Sequence, residues 1–368
     1  MIACDICIIG GGVMGASAAC EVARCGATVA LIDQAALPNP RAASVDHSKV
    51  FRFSYPDPLY VRMAVESKRL WRAIEDETRS HLLTETGLLL IGRDQPSFEI
   101  RCCDTLRSLD LEAEMLDSNE TAKRFPQFDK EAFRYSVFDP SGAILHAEKS
   151  VRALIDAARR LGVSVIENQR VMGIREGEVI AQGTRVACGQ VMVASGPWTR
   201  RLLPEIADKL FTTRQEVFYF EPQQPDDYEI GRFPVFIELG SGFYGFPVHH
   251  RGAMKIANHN KGERIDADLR DETIDEKSVE HCREFFSRFI PGLADARLRE
   301  TRVCVYNNTA DDDFIIDWHQ RLKSVLIVTG FSGHGFKFGP LVGRIAADLL
   351  ARGKTSYPLD RFSFARFV

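Results

Sequence analysis

A glycine-rich turn near the N-terminus constrains the fold of this chain more than any other feature. Gly10, Gly12 and Gly15 form the pattern G-x-G-x-x-G directly after the apolar, β-branched run 5–9. A segment with helical spacing follows the turn, and a second apolar run at 28–32 follows that segment. This succession of strand, glycine turn, helix and strand is typical of the βαβ unit that begins a dinucleotide-binding domain.

The individual positions of this unit have separate physical roles. Gly10 permits the tight turn, and Gly12 lets the backbone approach a pyrophosphate, whose charge is favoured at a helix N-terminus. Asp33 follows the second apolar run and can accept a hydrogen bond from a ribose hydroxyl. The motif alone does not separate NAD from FAD. A simple NAD-binding domain would continue with regular βαβ repeats after Asp33, whereas this chain breaks into a loop-like, proline-flanked segment at 39–58.

The remainder of the chain indicates a domain assembled from separated segments. Alternating strand and helix patterns return only near 147–195 and 325–352, and the stretches between them are richer in strands. This organisation predicts an α/β fold with a Rossmann-like nucleotide-binding domain and an inserted antiparallel-sheet substrate domain. The predicted nucleotide-binding segments are residues 1–80, 145–212 and 301–368. The predicted substrate domain comprises residues 81–144 and 213–300.

The composition excludes several classes of protein. Lys plus Arg number 47 and Asp plus Glu number 51, so the net charge is −4, with no electrostatic footprint for nucleic acid or an anionic membrane. No apolar stretch approaches the roughly 18–20 residues of a membrane span. The N-terminus lacks the basic region of a signal peptide, and nine cysteines, an odd number, argue against a disulfide framework. We therefore expect a cytoplasmic protein that binds neither nucleic acid nor membranes.

Three clusters that could suggest metal or redox chemistry are interpreted as structural. Cys4 and Cys7 form a CxxC inside an apparent strand, where positions i and i+3 face opposite ways. His249 and His250 have no companion ligands in the sequence, and the acidic run 311–313 is typical of a solvated turn. The sequence therefore predicts no metal site.

Several segments along the chain resemble one family. They are IIGGGVMG (8–15), SKVFR (48–52), VASGPW (193–198), YGFP (244–247), MKIANH (254–259), CVYNNTADDDFIID (304–317) and GFSGHGFKFGP (330–340). With these segments the chain resembles, over nearly its full length, the flavin amine oxidases of the monomeric sarcosine oxidase type. Relatives of that type include N-methyltryptophan, pipecolate, saccharopine and fructosyl-amino-acid oxidases.

One segment departs from the sarcosine-type pattern. Those enzymes carry Thr-Arg-x-x-Arg where this chain has Ser48-Lys49-x-x-Arg52. Val45 stands where they have an active-site histidine, and His47 is close by but offset. The stretch ASVDHSKV is more similar to the D-x-N-K-I of the fungal saccharopine and fructosyl-amino-acid branch. The resemblance therefore leaves the substrate open between sarcosine and a larger N-substituted amino acid.

The resemblance implies that the nucleotide is FAD, attached through a thioether between Cys304 and the flavin 8α carbon. The residue pattern by itself would not select this cysteine among the nine. The further cofactor-binding residues that the resemblance implies are Gly10, Gly12, Val13, Met14, Gly15, Asp33, Ser44, Lys49, Val171, Ala194, Ser195, Trp198, Gly333, His334, Gly335, Phe336 and Lys337.

The resemblance also implies roles at the reacting centre. Arg52 and Lys337 hold the substrate carboxylate, and Lys255 assists oxygen reduction near the flavin N5 edge. Lysines are normally exposed, but Lys255 and Lys337 lie between apolar neighbours. The implied catalytic residues are Lys255, Lys49, His259 and Tyr244. The implied substrate-binding residues are Arg52, Lys337 and Tyr306.

These assignments imply oxidation of a secondary amine, N-substituted or cyclic, on an amino acid. Hydride passes from the carbon next to nitrogen to flavin N5, the imine is hydrolysed, and O₂ is reduced to hydrogen peroxide. The expected partners are a carboxylate-bearing amino acid and O₂, and the protein is a monomer or homodimer. Two alternatives stay open: a flavin dehydrogenase that passes electrons to another acceptor, and a flavin-binding subunit of a larger complex.

Overall fold

The computed structural model describes residues 2–93 and 98–367. Within these ranges the helices are α1 (Val13–Arg24), α2 (Pro58–Thr78), α3 (Phe98–Ser108), α4 (Ser118–Arg124), α5 (Ala147–Arg160), α6 (Thr199–Leu202), α7 (Glu276–Phe289) and α8 (Gly339–Arg352). The strands are β1 (Ile2–Ile9), β2 (Val29–Ile32), β3 (Lys49–Phe51), β4 (Leu83–Glu85), β5 (Leu88–Gly92), β6 (Glu114–Asp117), β7 (Tyr135–Asp139), β8 (Ala143–Leu145), β9 (Ser164–Ile166), β10 (Val171–Arg175), β11 (Glu178–Ala181), β12 (Arg185–Val193), β13 (Phe211–Glu221), β14 (Val235–Glu238), β15 (Phe243–His250), β16 (Ala253–Asn258), β17 (Arg297–Asn308), β18 (Ile315–Trp318) and β19 (Val325–Thr329).

The first sheet has a parallel centre in the order β9-β2-β1-β12-β19. The antiparallel strand β18 pairs with β19, and the hairpin β10-β11 pairs with the first part of β12. β2, β19 and the second half of β1 are buried on both faces, which explains why their sequences are almost entirely apolar. Helices α1 and α8 cross so closely over one face that a Cβ on Gly343 would lie 2.7 Å from the Ser17 backbone.

The second sheet has the order β17-β13-β16-β15-β14-β5-β7-β6 and is antiparallel except for the pair β14-β5. One of its faces packs a phenylalanine-rich core against α7. The opposite face carries Tyr219, Tyr244, Lys255 and Cys304, because side chains alternate between the two faces of a strand. Both faces of this part of the sheet are therefore buried, and the second one is built from polar and small side chains.

A third sheet, with the order β3-β8-β4, connects the two larger sheets. It corrects the sequence analysis, which treated 39–58 as a loop, since Lys49–Phe51 pairs with Leu145–Ala143. The strand was missed because it has only three residues and stands between prolines. Its pairing fixes Lys49 at the start of an ordered strand.

The sequence predictions agree with the architecture at the level of fold class, since the chain is α/β with a parallel sheet and a largely antiparallel one. The division into domains at the boundaries given above stays a prediction. All nine cysteines are free. None of the helices in the described ranges has the length and apolar character required to span a bilayer.

Candidate active site

A cavity of about 730 Å³ opens at the carboxyl ends of β1, β2 and β12. The cavity is lined by the glycine turn and by the ends of these strands. It is also lined by residues 305–307, which follow Cys304 near the end of β17. Predicted site residues that line it are Gly10, Gly12, Val13, Met14, Asp33, Ser44, Lys49, Val171, Ala194, Ser195, Trp198, Tyr306, Gly333, Gly335 and Phe336. Lining residues that the sequence analysis missed include Gln34, Asn39, Gln169, Arg170, Gln182 and Arg201.

The glycine turn has the geometry that its motif requires. Gly10 has φ +105°, and a Cβ there would lie 2.4 Å from the carbonyl oxygen of Ala194. Gly15 does not line the cavity. A Cβ on Gly15 would lie 1.9 Å from the Gly10 oxygen, so this glycine permits the close contact of α1 with the turn.

Polar side chains stabilise the glycine turn through hydrogen bonds to its backbone. Asp33 accepts hydrogen bonds from the Gly11 N–H at 2.8 Å and from the Asn39 amide at 3.0 Å, and burial raises its pKa. The Ser44 hydroxyl accepts from the Val13 N–H at 3.0 Å, at the N-terminus of α1. This end of α1 therefore combines a bare glycine backbone with helix N–H groups, the arrangement that binds phosphate oxygens.

A loop between β16 and α7, residues 266–270, contacts side chains that line the cavity. The Asp268 carboxylate accepts hydrogen bonds from Trp198 Nε1 at 2.6 Å, from Arg170 at 2.8 Å and from Arg201. The three donors line the cavity. The sequence analysis found Trp198 but missed its partner, because the two residues are far apart along the chain.

Cys304 lies at the other end of the cavity, on β17. It is buried and does not itself line the cavity, although its neighbours Val305 and Tyr306 do. The Cys304 Sγ atom lies 3.6 Å from the ammonium nitrogen of Lys49. Although burial opposes the charge, the neighbouring Cys304 and Asp46 raise the pKa of Lys49 above its ordinary value.

A buried charge cluster lies beside this cysteine. Lys255 donates to Asp46 Oδ2 at 2.6 Å and to the Ser48 carbonyl at 2.7 Å, and the Tyr219 hydroxyl donates to Asp46 Oδ1 at 2.6 Å. Burial lowers the pKa of Lys255 to about 8, although the Asp46 charge acts in the opposite direction. Burial likewise opposes ionisation of Asp46, but Lys255 and Lys49 hold its pKa below the ordinary value.

A second cationic cluster is formed by Arg52 and Lys337. The guanidinium of Arg52 stacks 3.9 Å from the centre of the Tyr55 ring, and its Nη1 atom is buried without a hydrogen-bond partner. Lys337 donates to the Tyr55 hydroxyl at 2.8 Å and to the His334 carbonyl at 2.7 Å. Burial lowers the pKa of Lys337 well below its ordinary value, and the Arg52 charge adds to the effect. Among residues 2–93 and 98–367, neither cation has a carboxylate partner.

The remaining predicted residues lie between the two charge clusters. Tyr306 stacks against Gly333, where a Cβ would lie 2.5 Å from the ring, and its hydroxyl interacts with that of Tyr244. The His259 ring lies 5.6 Å from the Tyr306 ring. Burial and the charge of Arg52 lower the pKa of His259 to about 4, so this imidazole is neutral near pH 7. His334 and Lys337 do not line the cavity, but their turn supports its floor through Gly333 and Gly335.

The sequence analysis missed one side-chain cluster at the edge of the site. His47 and His250 stack with ring centres 3.5 Å apart, and Glu300 lies 3.0 Å from His47. His250 therefore has companions that the sequence could not reveal. Arg302 donates to the same carboxylate at 2.6 Å. The absence of a metal site stays a prediction from the sequence.

The described residues fit a bound FAD. The bare glycine turn at the N-terminus of α1 suits a diphosphate, and Asp33 stands at the end of β2 as the motif requires. The cavity extends from Val171 on β10 and Trp198 to Lys49 on β3 and Tyr306 on β17. Its lining does not include Arg52, Tyr244, Lys255, His259 or Lys337.

Comparisons with known proteins agree with this geometry. Residues 5–349 match the family described as DAO, FAD dependent oxidoreductase. Peroxisomal sarcosine oxidase of Mus musculus is 32% identical over 99% of this chain and 96% of its own length. N-methyl-L-tryptophan oxidase of Yersinia pestis is 30% identical, over 99% of each chain. The crystal structure of L-proline dehydrogenase from P. horikoshii has a TM-score of 0.88 at 21% identity, covering 100% of this chain and 98% of that one.

The structural likeness shows a shared fold, and the sequence relatives confirm the resemblance found in the separated segments. Together with the family match over most of the chain, they identify the cofactor as FAD. The chain belongs to the family of FAD-dependent oxidoreductases, alongside sarcosine and N-methyl-L-tryptophan oxidases.

Proposed function

We propose that the protein is an FAD-dependent oxidase of a secondary amino acid, with O₂ as the final acceptor and hydrogen peroxide as a product. The observation that carries this proposal is the pair of buried cations, Arg52 and Lys337, without a carboxylate partner in the described residues. Burial of two neighbouring cations is costly, and the lowered pKa of Lys337 has this cause. A substrate carboxylate would compensate Arg52 and favour the charged form of Lys337. The sarcosine and N-methyl-L-tryptophan oxidases among the relatives act on molecules of this kind.

Arg52 and Lys337 have different parts in this binding. The Arg52 fork can grip a carboxylate through two nitrogens, and its free Nη1 is available for the second contact. Lys337 acts as a point charge, fixed by Tyr55 and by the His334 carbonyl. The carboxylate therefore fixes one end of the substrate, and the amine extends toward Tyr306, Tyr244 and the second sheet.

The chain's own groups then set the protonation of the substrate. The cations around the site disfavour an ammonium and favour the neutral amine, which is the form that gives up a hydride. Bound FAD supplies the two-electron acceptor for that hydride from the carbon next to nitrogen. Lys255, Lys49, His259 and Tyr244 form the surrounding wall, and the Lys255 charge favours electron transfer to O₂. The imine product is hydrolysed by water.

We further propose that FAD is attached covalently through Cys304. The Lys49 ammonium contacts the Sγ atom of Cys304 at 3.6 Å and fixes its position, while the neighbouring Val305 and Tyr306 line the cavity. Lys49 and Cys304 adjoin the end of the cavity opposite Trp198, on the side of the second sheet. In the domain division proposed from the sequence, the nucleotide-binding domain would then hold the FAD. Cys304, which forms the covalent bond, would lie where this domain meets the substrate domain.

An anaerobic substrate screen tests the function. Purified protein is mixed with N-methyl, N-alkyl and cyclic amino acids, each beside its decarboxylated amine, and the flavin absorbance near 450 nm is followed. We expect the acids to bleach the flavin at least about tenfold faster than the matched amines, because only they engage Arg52 and Lys337. Admission of air should restore the absorbance and release hydrogen peroxide in a one-to-one ratio with substrate.

Two outcomes would contradict the proposal in different ways. Equal bleaching by acids and amines would remove the role of the cation pair and reopen the substrate class. Bleaching by an acid without recovery in air would show a dehydrogenase that requires another acceptor.

A further inference from the structure

One buried carboxylate in the active site has no part in the substrate binding described above. Asp46 is 2% exposed and lies on the segment that crosses the polar face of the second sheet. Its Oδ2 atom is 2.6 Å from the Lys255 ammonium and 3.5 Å from that of Lys49. Its Oδ1 atom accepts a hydrogen bond from the Tyr219 hydroxyl. Both carboxylate oxygens are therefore fixed by neighbours.

Register explains why these groups meet. Tyr219 and Lys255 are directly opposite each other on β13 and β16, so their side chains leave the sheet together on the polar face. Asp46 contacts both side chains, although it lies more than 170 residues earlier in the chain. The contact joins three separate parts of the sequence, which no local pattern could predict.

The electrostatic need for Asp46 follows from the two lysines. Lys255 is completely buried, and both ammonium groups lose most of their water, so each is destabilised by burial and by the other. In the described ranges, Asp46 is the carboxylate within ion-pair distance of both. Without Asp46, burial of the Lys255 charge would be uncompensated, and loss of the ammonium proton would be favoured.

We propose that Asp46 is a positioning residue, which keeps Lys255 both charged and fixed on the polar face of the second sheet. This inference rests on the proposed role of Lys255 in oxygen reduction, since a neutral lysine would not favour electron transfer to O₂. Asp46 acts through Lys255 and does not touch the substrate. The Ser48 carbonyl completes the fixation by accepting a second hydrogen bond from the same ammonium.

The pKa of Lys255, which burial lowers to about 8, agrees with this role, because Asp46 raises it and Lys49 lowers it. Because the pKa of Lys255 is about 8, loss of the Asp46 charge would lower it below about 7 and make the lysine neutral at pH 7. Other titratable or charged groups that face the Asp46–Lys255 pair are Lys49, Tyr219, Tyr244, His249, Arg302 and Cys304.

Direct titration of Lys255 tests the proposal without depending on turnover. The FAD-loaded protein is labelled with [13Cε]lysine, the Lys255 signal is assigned with Lys255→Met, and its pKa is followed by NMR. Asp46→Asn should lower this pKa from about 8 to below about 6. Lys49→Met, which removes the competing cation, should raise it. Asp139→Asn is the matched control, since Asp139 is equally buried but binds the backbone of Phe53 and Ser54.

The oxygen reaction supplies the functional half of the test. At pH 7.5, Asp46→Asn should slow reoxidation of the reduced protein by roughly tenfold or more, and lowering the pH should restore much of the loss. Asp46→Glu, which keeps the charge, should recover part of the rate at pH 7.5. A merely structural role would slow the reaction equally at every pH.

The outcomes separate this inference from the proposed function. An unchanged Lys255 titration in Asp46→Asn overturns the role of Asp46, even if the protein is an oxidase. Wild-type protein that fails to reduce O₂ overturns the oxidase function, while the NMR result still stands. If Asp46→Asn does not fold, Tyr219→Phe replaces it. Loss of that hydroxyl leaves the carboxylate charge less stabilised and should raise the Lys255 pKa, so no movement there also overturns the proposal.

Discussion

The ammonium nitrogen of Lys49 lies 3.6 Å from the Sγ atom of Cys304, at the end of the cavity formed with the second sheet. The Lys49 ammonium donates to this sulfur and so fixes its position beside the cavity. Within the described residues, Cys304 is the cysteine that accepts a hydrogen bond from a lysine. Lys49 and Cys304 therefore act as a pair in the predictions that follow.

The first prediction concerns the tether. In wild-type protein, acid precipitation should leave the flavin with the polypeptide, whereas Cys304→Ser should release it, because a serine hydroxyl is a far poorer nucleophile at neutral pH. Lys49→Met should slow attachment by roughly tenfold, as followed by intact-mass measurement during reconstitution. Cys25→Ser, at an exposed cysteine, is the control. Flavin that is entirely soluble after precipitation of the wild type would refute covalent attachment.

The second prediction concerns oxygen. Lys255→Met should slow reoxidation of the reduced protein by about 10²-fold, the scale expected for losing one preorganised charge beside a reacting group. Reduction by substrate should change much less, because in the proposed binding mode Arg52 and Lys337, not Lys255, hold the carboxylate. Stopped-flow measurement of both half-reactions separates the effects. Reoxidation of the variant at the wild-type rate would contradict the assignment.

The third prediction concerns the pH dependence of the same step. The pKa of Lys255 is lowered to about 8, and its charged form exists below that pH. Reoxidation of wild-type protein should therefore be fast below pH 8 and should slow as the pH rises through it. Lys255→Met should lack this inflection. A wild-type rate that increases between pH 7 and 9 would have the wrong sign.

The fourth prediction concerns substrate class. Arg52→Ala should weaken binding of carboxylate inhibitors by about 2–5 kcal/mol, the cost of truncating one partner of a buried charge pair. The corresponding decarboxylated amine should lose much less, since it makes no contact that needs the guanidinium. Equilibrium titration of the flavin spectrum measures both ligands. Equal losses would show that Arg52 supports the structure through its stacking on Tyr55.

The fifth prediction concerns the glycine turn. Gly15→Ala should reduce flavin content and destabilise the protein by about 1–3 kcal/mol or more, because the added Cβ would lie 1.9 Å from the Gly10 oxygen. Gly173→Ala is the matched control, since a Cβ there meets nothing within 4 Å. Denaturant unfolding and flavin absorbance report the two effects. A Gly15→Ala protein with full flavin content would show that α1 can move away from the turn.

The nucleotide-binding half of the site could be predicted from local sequence. Gly10, Gly12 and Asp33 belong to one βαβ unit, so their spacing along the chain determines their positions in space. The same holds for β19 and α8, which begin and end the predicted strand-and-helix stretch 325–352. Local periodicity is sufficient where neighbours in sequence are also neighbours in the fold.

The reacting half could not be predicted in this way. Lys255 was expected near the flavin only through the family resemblance, because a lysine between Met254 and Ile256 could equally point into solvent. The structure directs it to the second buried face of the sheet, where Asp46 compensates its charge. The position of Asp46 three residues before Lys49 was the one local indication of an ion pair. Its contact with Lys255 could not be predicted, because β16 lies about two hundred residues away along the chain.

The 266–270 loop has a consequence for how the protein acquires its cofactor. Asp268 accepts hydrogen bonds from Trp198, Arg170 and Arg201, and these three residues line the cavity. Until a thioether to Cys304 forms, a bound nucleotide depends on these three side chains, and the loop fixes their positions. Loss of the Asp268 contacts should therefore slow the acquisition of flavin during reconstitution.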